Sequence, residues 1–98
     1  MEFLKLWQFD NPGQSEQLFL EQLDKLSGDE LATLKTQIAR TYSLRRQFEQ
    51  AEHWLSEASA LLSDKTPYAQ TYYHLELGRT HNSAGNKAAA REIGRAHV

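Results

Sequence analysis

Apolar residues recur along this chain at the spacing of one face of an α-helix. Leu31, Leu34, Ile38 and Tyr42 fall at i, i+3, i+7 and i+11, with Ala39 and Leu44 alongside. Phe48, Ala51, Leu55, Ala58 and Leu62 make a second such face, with Trp54 and Leu61 on another side. Phe19, Leu23 and Leu26, with Leu20 beside them, make a shorter one. No stretch of four or more residues alternates as a half-buried strand would with turn signals on both sides. Two prolines and five glycines are the only strong interruptions. The pattern predicts an all-α fold.

Local signals divide that fold into elements. Met1–Asp10 carries Phe3, Leu4, Leu6, Trp7 and Phe9 and is too short to stand as a free helix. At Asn11-Pro12-Gly13, either Asn11 caps a helix with Pro12 at its first position, or Ser15 caps one slightly later. Ser27-Gly28 closes that helix. Ser27 and Glu30 then fit a capping box opening the next helix, which loses phase at Arg45-Arg46-Gln47, where a turn is expected. The helix beginning at Phe48 is closed by Ser63–Pro67, because proline disfavours α geometry in the residue before it. Tyr68–Ser83 forms a further helix, Ala84-Gly85-Asn86 turns the chain, and Lys87–Arg91 begins a last one.

Composition excludes more than it selects. At 98 residues the chain is one domain with a modest core. The absence of cysteine removes disulfides, thiolate zinc sites and thiol nucleophiles. Thirteen acidic against eleven basic residues argue against non-specific nucleic-acid binding. Mean hydropathy is −0.67, and no apolar run approaches the ~18 residues of a membrane span. No basic segment followed by an apolar one opens the chain, so a cytoplasmic protein is expected.

An internal repeat narrows the fold class. Ile38-Ala39-Arg40-Thr41-Tyr42 and Leu77-Gly78-Arg79-Thr80-His81 align without gaps, 39 positions apart. Each is followed by a turn and a helix opening on alanine, at Phe48–Ala51 and Lys87–Ala90. The chain resembles the tetratricopeptide repeat family, with its W-x2-L-G-x2-Y, A-x3-F and closing-proline pattern at a period of roughly 34 residues. That pattern falls on Lys35, Ile38, Ala39, Tyr42, Ala51, Leu55, Ala58 and Pro67 in the first copy, and on His74, Leu77, Gly78, His81 and Ala89 in the second. Lys35 and His74 stand where the tryptophan belongs, and His81 where the tyrosine belongs. The opening Leu6-Trp7, Phe9, Asn11-Pro12, Ser15-Glu16 and Phe19 is similar to the start of a bacterial group of small tetratricopeptide proteins. The resemblance implies a short right-handed α-solenoid of antiparallel helix hairpins. Residues 1–28 form an N-terminal capping segment and helix, and residues 29–92 form one complete and one partial repeat. Ile38, Tyr42, Phe48, Ala51, Leu55 and Ala58 are expected to be buried together.

Residues 93–98 stand apart. Ile93-Gly94-Arg95-Ala96-His97-Val98 is what one frame of a common short-read sequencing adapter encodes, ATC GGA AGA GCA CAC GTC, with a stop codon next. We read it as a non-native tail, which implies a longer parent protein and exposed apolar surface where a following repeat would pack.

Chemistry-bearing constellations are sparse. His53, His74, His81 and His97 include no pair at i, i+4, the chelating spacing on a helix. His74 and His81 are read as partly buried core histidines. The many carboxylates fall mostly on polar helix faces, and no phosphate loop or nucleophile elbow occurs. Neither an enzyme, a metal site nor a cofactor is expected. The Arg45-Arg46 pair is read as a helix C-terminal charge pair favoured by the dipole.

Arg40 and Arg79 occupy equivalent places in the two repeats. The family resemblance implies that the first helix of each pair lines a concave groove, giving Arg40, Arg79, Thr36, Tyr72 and Asn82 as the candidate partner-binding residues. Thr33, Gln37, Ser43, Leu75 and Glu76 share that surface. The lysines and asparagines of the family's chaperone-tail clamp are not reproduced by Thr36 and Arg40. A plainer alternative pairs each arginine with a neighbouring glutamate. The function implied is a protein–protein interaction module holding a protein or peptide segment, with no nucleic acid and no membrane involved. The alternative is a structural repeat that self-associates through its exposed C-terminal helix.

Overall fold

The computed structural model describes residues 1–96, with the side chains described as far as Ala84. His97 and Val98 lie outside the described residues, as do the side chains of the second repeat's last helix and of the tail. A short 3-10 helix, Glu2–Leu6, precedes four α-helices: α1 (Pro12–Leu20), α2 (Gly28–Leu44), α3 (Phe48–Ser59) and α4 (Pro67–Ala96). Among the described residues there is no strand. No described helix is long and apolar enough to cross a membrane.

Asn11 is the cap of α1, its Oδ1 accepting from Gln14 N at 3.2 Å with Pro12 at the first position. Ser15 instead ties the helix to the N-terminal segment, accepting from Gln8 N at 2.7 Å and donating to Gln8 O at 3.0 Å. The helix stops at Leu20 rather than at Ser27. Three-residue turns such as Leu23 N to Leu20 O and Lys25 N to Gln22 O replace α geometry there. Leu20 at the end of α1, and Leu23 and Leu26 in the segment after it, still pack against the core.

Ser27 does cap α2 by position, but its side chain makes no cap bond. The acidic residue of that turn with a structural task is Asp29. Its two oxygens accept from Tyr68 N at 3.1 Å and Ala69 N at 2.7 Å, so it caps the N-terminus of α4 from another helix. At the other end, Gln47 N donates to Tyr42 O and Arg46 N to Ser43 O, the bond pair of a Schellman motif. Arg46 holds its left-handed position at φ 61°, where glycine is usual.

Phe3, Phe19, Leu34 and Ile38 form the central cluster, rimmed by Trp7, Leu31, Tyr42 and Trp54. Phe19 meets Phe3 and Trp7 edge to face, at centroid distances of 6.1 and 5.1 Å. Ala39, Ala51, Ala58 and Ala69 are wholly buried, which lets the helices approach closely. Ile38, Ala51, Leu55 and Ala58 are buried as the pattern predicts. Tyr42 and Phe48 are half-buried instead, each at an end of its helix beside the Arg45–Gln47 turn, with an arginine covering its ring.

The helix directions follow from which residues meet. Lys35 in the middle of α2 reaches Glu57 near the end of α3, so the two helices run antiparallel across the short turn. Asp29, Gln37, Ser43 and Arg46 meet Tyr68, Glu76, Thr80 and Ser83 in that order, so α2 and α4 run parallel. One expectation fails here. The chain does not turn at Ala84-Gly85-Asn86, and the backbone of α4 continues unbroken to Ala96. Gly85 and Asn86 lower helix propensity by about 1 kcal/mol or less each, and no proline stands there to force a break.

Candidate functional site

The repeat offset brings equivalent residues of α2 and α4 face to face. Gln37 and Glu76 are 39 positions apart in sequence and hydrogen-bonded in space, Gln37 Nε2 donating to Glu76 Oε2 at 3.2 Å. Arg40 and Arg79 lie one turn further along the same two helices. Glu76 is 1% exposed and sits between them. Arg79 Nη1 donates to its Oε2 at 3.1 Å, and Arg40 Nε lies 3.9 Å from its Oε1. Two guanidiniums that neutralise it and a carboxamide that donates to it make a buried carboxylate tolerable in a core this small.

Gln37 carries the same network to the N-terminal segment, its Oε1 accepting from Trp7 Nε1 at 2.9 Å. Trp7 stacks flat on Phe9 at 4.7 Å, and the Arg40 guanidinium lies 5.4 and 5.2 Å from the two ring centroids. Phe9 remains 61% exposed. Burial pushes the Arg40 guanidinium down from its usual range; Glu76 opposes that shift and Arg79 adds to it. Arg40 is thus fixed from three sides.

Beyond this pair the two helices part into an open cleft of about 290 Å³. It is lined by Arg40, Ser43 and Leu44 of α2, Arg46 of the following turn, and Glu76, Arg79 and Ser83 of α4. Arg46 leans across it, Nη2 lying 3.4 Å from the Ser83 carbonyl. Thr80 Oγ1 donates to Ser43 Oγ at 3.3 Å, leaving the Ser43 proton free to point elsewhere. Three guanidiniums and one carboxylate face the cleft.

The candidate residues are therefore divided. Arg40 and Arg79 share the cleft with Ser43 and Glu76. Thr36 is fully buried, its hydroxyl bonded to Thr33 O and Gln37 Nε2, and it presents nothing to a ligand. Gln37 and Thr33 are buried beside it. Tyr72 is half-buried and Asn82 exposed, both outside the cleft lining. The plainer reading of Arg79 is partly realised, since its glutamate is the residue one turn before it. Sequence reasoning missed Arg46 as a cleft residue. Its neighbour Arg45 does what was assigned to both, donating to Thr41 O near the end of α2, and it also pairs with Glu16 at 2.7 Å. A non-glycine residue directly after a helix end was the available signal.

His74 and His81 are exposed rather than partly buried core residues. They fall on the side of α4 turned away from Ala69, Glu76 and Thr80, which face α2 and α3. Among the described residues no three His, Asp or Glu side chains converge. No family model matches the chain, and neither a curated protein nor a solved structure matches it.

Proposed function

We propose that the chain is a tetratricopeptide-like interaction module that holds a partner segment in the cleft between α2 and α4. The observation carrying this is the convergence of Arg40, Arg46 and Arg79 on one open cleft between two helices whose sequences repeat. Two further features support the family reading: α2 and α4 run parallel at the repeat offset, and α3 returns antiparallel between them. Concave faces between stacked helix pairs are where such arrays bind partners. The residues there suit recognition, since guanidinium forks read carboxylates, phosphates and peptide carbonyls. Among the described residues of the cleft, no nucleophile is paired with a base. The role is binding, in the cytoplasm.

The test is affinity capture from an extract of the source cells with the full chain, against the Arg46→Gly/Arg79→Ala variant at matched thermal stability. Loss of a specific partner in the variant supports the cleft. Identical partner profiles discard it and leave self-association as the reading, for which exposed Tyr68 and Leu75 on α4 are the surface to mutate.

A further inference from the structure

Resting on the reading of this cleft as the binding surface, we infer that its ligand is a phosphorylated side chain. The partner would present a phosphoserine or phosphothreonine to Arg40, Arg46 and Arg79. Four observations lead there.

The first is charge. Among the described residues Glu76 is the only carboxylate lining the cleft, and it is already engaged by Gln37, Arg79 and Arg40. Among the described residues no carboxylate lies within ion-pairing distance of Arg46. The walls therefore carry an excess of two positive charges. A phosphate monoester, at roughly −1.5 to −2 near neutral pH, balances that excess, whereas a carboxylate leaves one charge uncompensated.

The second is the direction of the donors. Arg40 and Ser43 come from α2, Arg46 from the turn after it, and Arg79 from α4 on the opposite wall. Donors arriving from three directions suit three oxygens on a tetrahedral centre better than two oxygens in a plane. The Ser43 hydroxyl adds a neutral donor on the same side as Arg40.

The third is backbone cost. Arg46 sits at φ 61° in a Schellman position that glycine fills without strain. Among the described residues its one side-chain polar partner is the Ser83 carbonyl, over a long bond of 3.4 Å, and its ring contact is with Phe48 at 5.3 Å. Neither accounts for a charged residue in that position, while a ligand in the cleft does.

The fourth is the state of Arg40, crowded by burial and by Arg79. An added dianion offsets the repulsion between Arg40 and Arg79. Recognition of phosphorylated segments by arginine clusters is a general mode in which charge supplies affinity and the surrounding groove supplies choice.

The experiment titrates the full chain by calorimetry with three probes. They are acetyl-Gly-Gly-phosphoSer-Gly-Gly-amide, the same peptide with Glu in place of phosphoserine, and inorganic phosphate. Expected is binding of the phosphopeptide about tenfold tighter than the Glu peptide, with a further loss of about tenfold in Arg46→Gly and in Arg79→Ala. Melting curves establish that each variant is folded; should Arg79→Ala unfold, Arg46→Gly carries the comparison, since it relieves backbone strain. Equal binding of the phosphoserine and Glu peptides overturns the phosphoryl assignment and leaves the cleft as a carboxylate site, so the functional reading survives. Tighter binding of inorganic phosphate than of the phosphopeptide overturns the side-chain source. No binding of any probe at about 10 mM overturns the inference altogether, while the capture comparison still judges the module reading separately.

Discussion

Removing the Glu76 carboxylate should cost far more stability than removing the arginine it binds best. In Glu76→Ala, a carboxylate that is 2% exposed disappears from between Arg40 and Arg79, and Gln37 Nε2 keeps only its Thr36 partner. Breaking a buried ion pair by deleting one member costs about 3–5 kcal/mol when the survivor is trapped. Here the surviving guanidiniums are 25% and 45% exposed, so water recovers part of that. The expected loss is about 2–3 kcal/mol, including the small void left by the side chain. In Arg79→Ala the carboxylate keeps Gln37 and Arg40, and the lost partner was nearly half in solvent. That loss should be about 0.5–1 kcal/mol. Urea unfolding followed by circular dichroism measures both, and thermal midpoints should fall by roughly 10–20 °C for Glu76→Ala. Part of the Glu76→Ala deficit should vanish in about 1 M salt, which screens the Arg40–Arg79 repulsion but not the void. Equal losses in the two variants, or a Glu76→Ala loss below about 1 kcal/mol, would refute the placement of Glu76 as the buried hub.

Asp29→Ala should destabilise the fold by about 1–2 kcal/mol, because two N–H groups at the start of α4 lose their acceptor; amide hydrogen exchange at Tyr68 and Ala69 should speed up while α3 is unaffected. Burial, and then its hydrogen bond to Glu16, push the Tyr42 hydroxyl above its usual range. A raised pKa in the folded state means this contribution is complete below about pH 10 and is lost as pH rises through the folded value. Chemical denaturation from pH 8 to 11 should therefore show a fall in stability that Tyr42→Phe lacks. Thr33 Oγ1 is buried without a hydrogen-bond partner, so Thr33→Val should leave stability unchanged or raise it by up to about 1 kcal/mol, read from the urea midpoint.

The parts of this fold that periodicity controls were legible in the chain. The α2 stripe through Leu34 and Ile38, the α3 face through Ala51, Leu55 and Ala58, and the turn at Arg45–Gln47 all appear where the spacing put them. Local signals misled where tertiary contacts took the residue over. Ser27 and Glu30 spell a capping box, yet no side-chain cap forms, and Asp29 between them is drawn to α4. Gly85-Asn86 reads as a turn, yet glycine only weakens a helix and does not end it. Within the cleft, the repeat made Arg40 and Arg79 equivalent, and the fold does bring them together. What the repeat could not reveal is that Thr36 is spent on the backbone beneath, or that Glu76 lies buried between the arginines. The first is a bond within α2, and the second depends on how α2 and α4 pack together. Arg46 escaped notice because its role comes from a left-handed backbone turn, which a side-chain pattern does not encode.

The most direct measurement is the side-chain Nε–Hε spectrum of the ¹⁵N-labelled arginines while the phosphoserine peptide is added. The account predicts that the Arg40, Arg46 and Arg79 resonances shift together along one binding curve. Arg45, held away from the cleft by Glu16, should stay in place as an internal control. Shifts spread evenly over all arginines, or confined to Arg45, would contradict a single cleft between α2 and α4 as the site where this protein meets its partner.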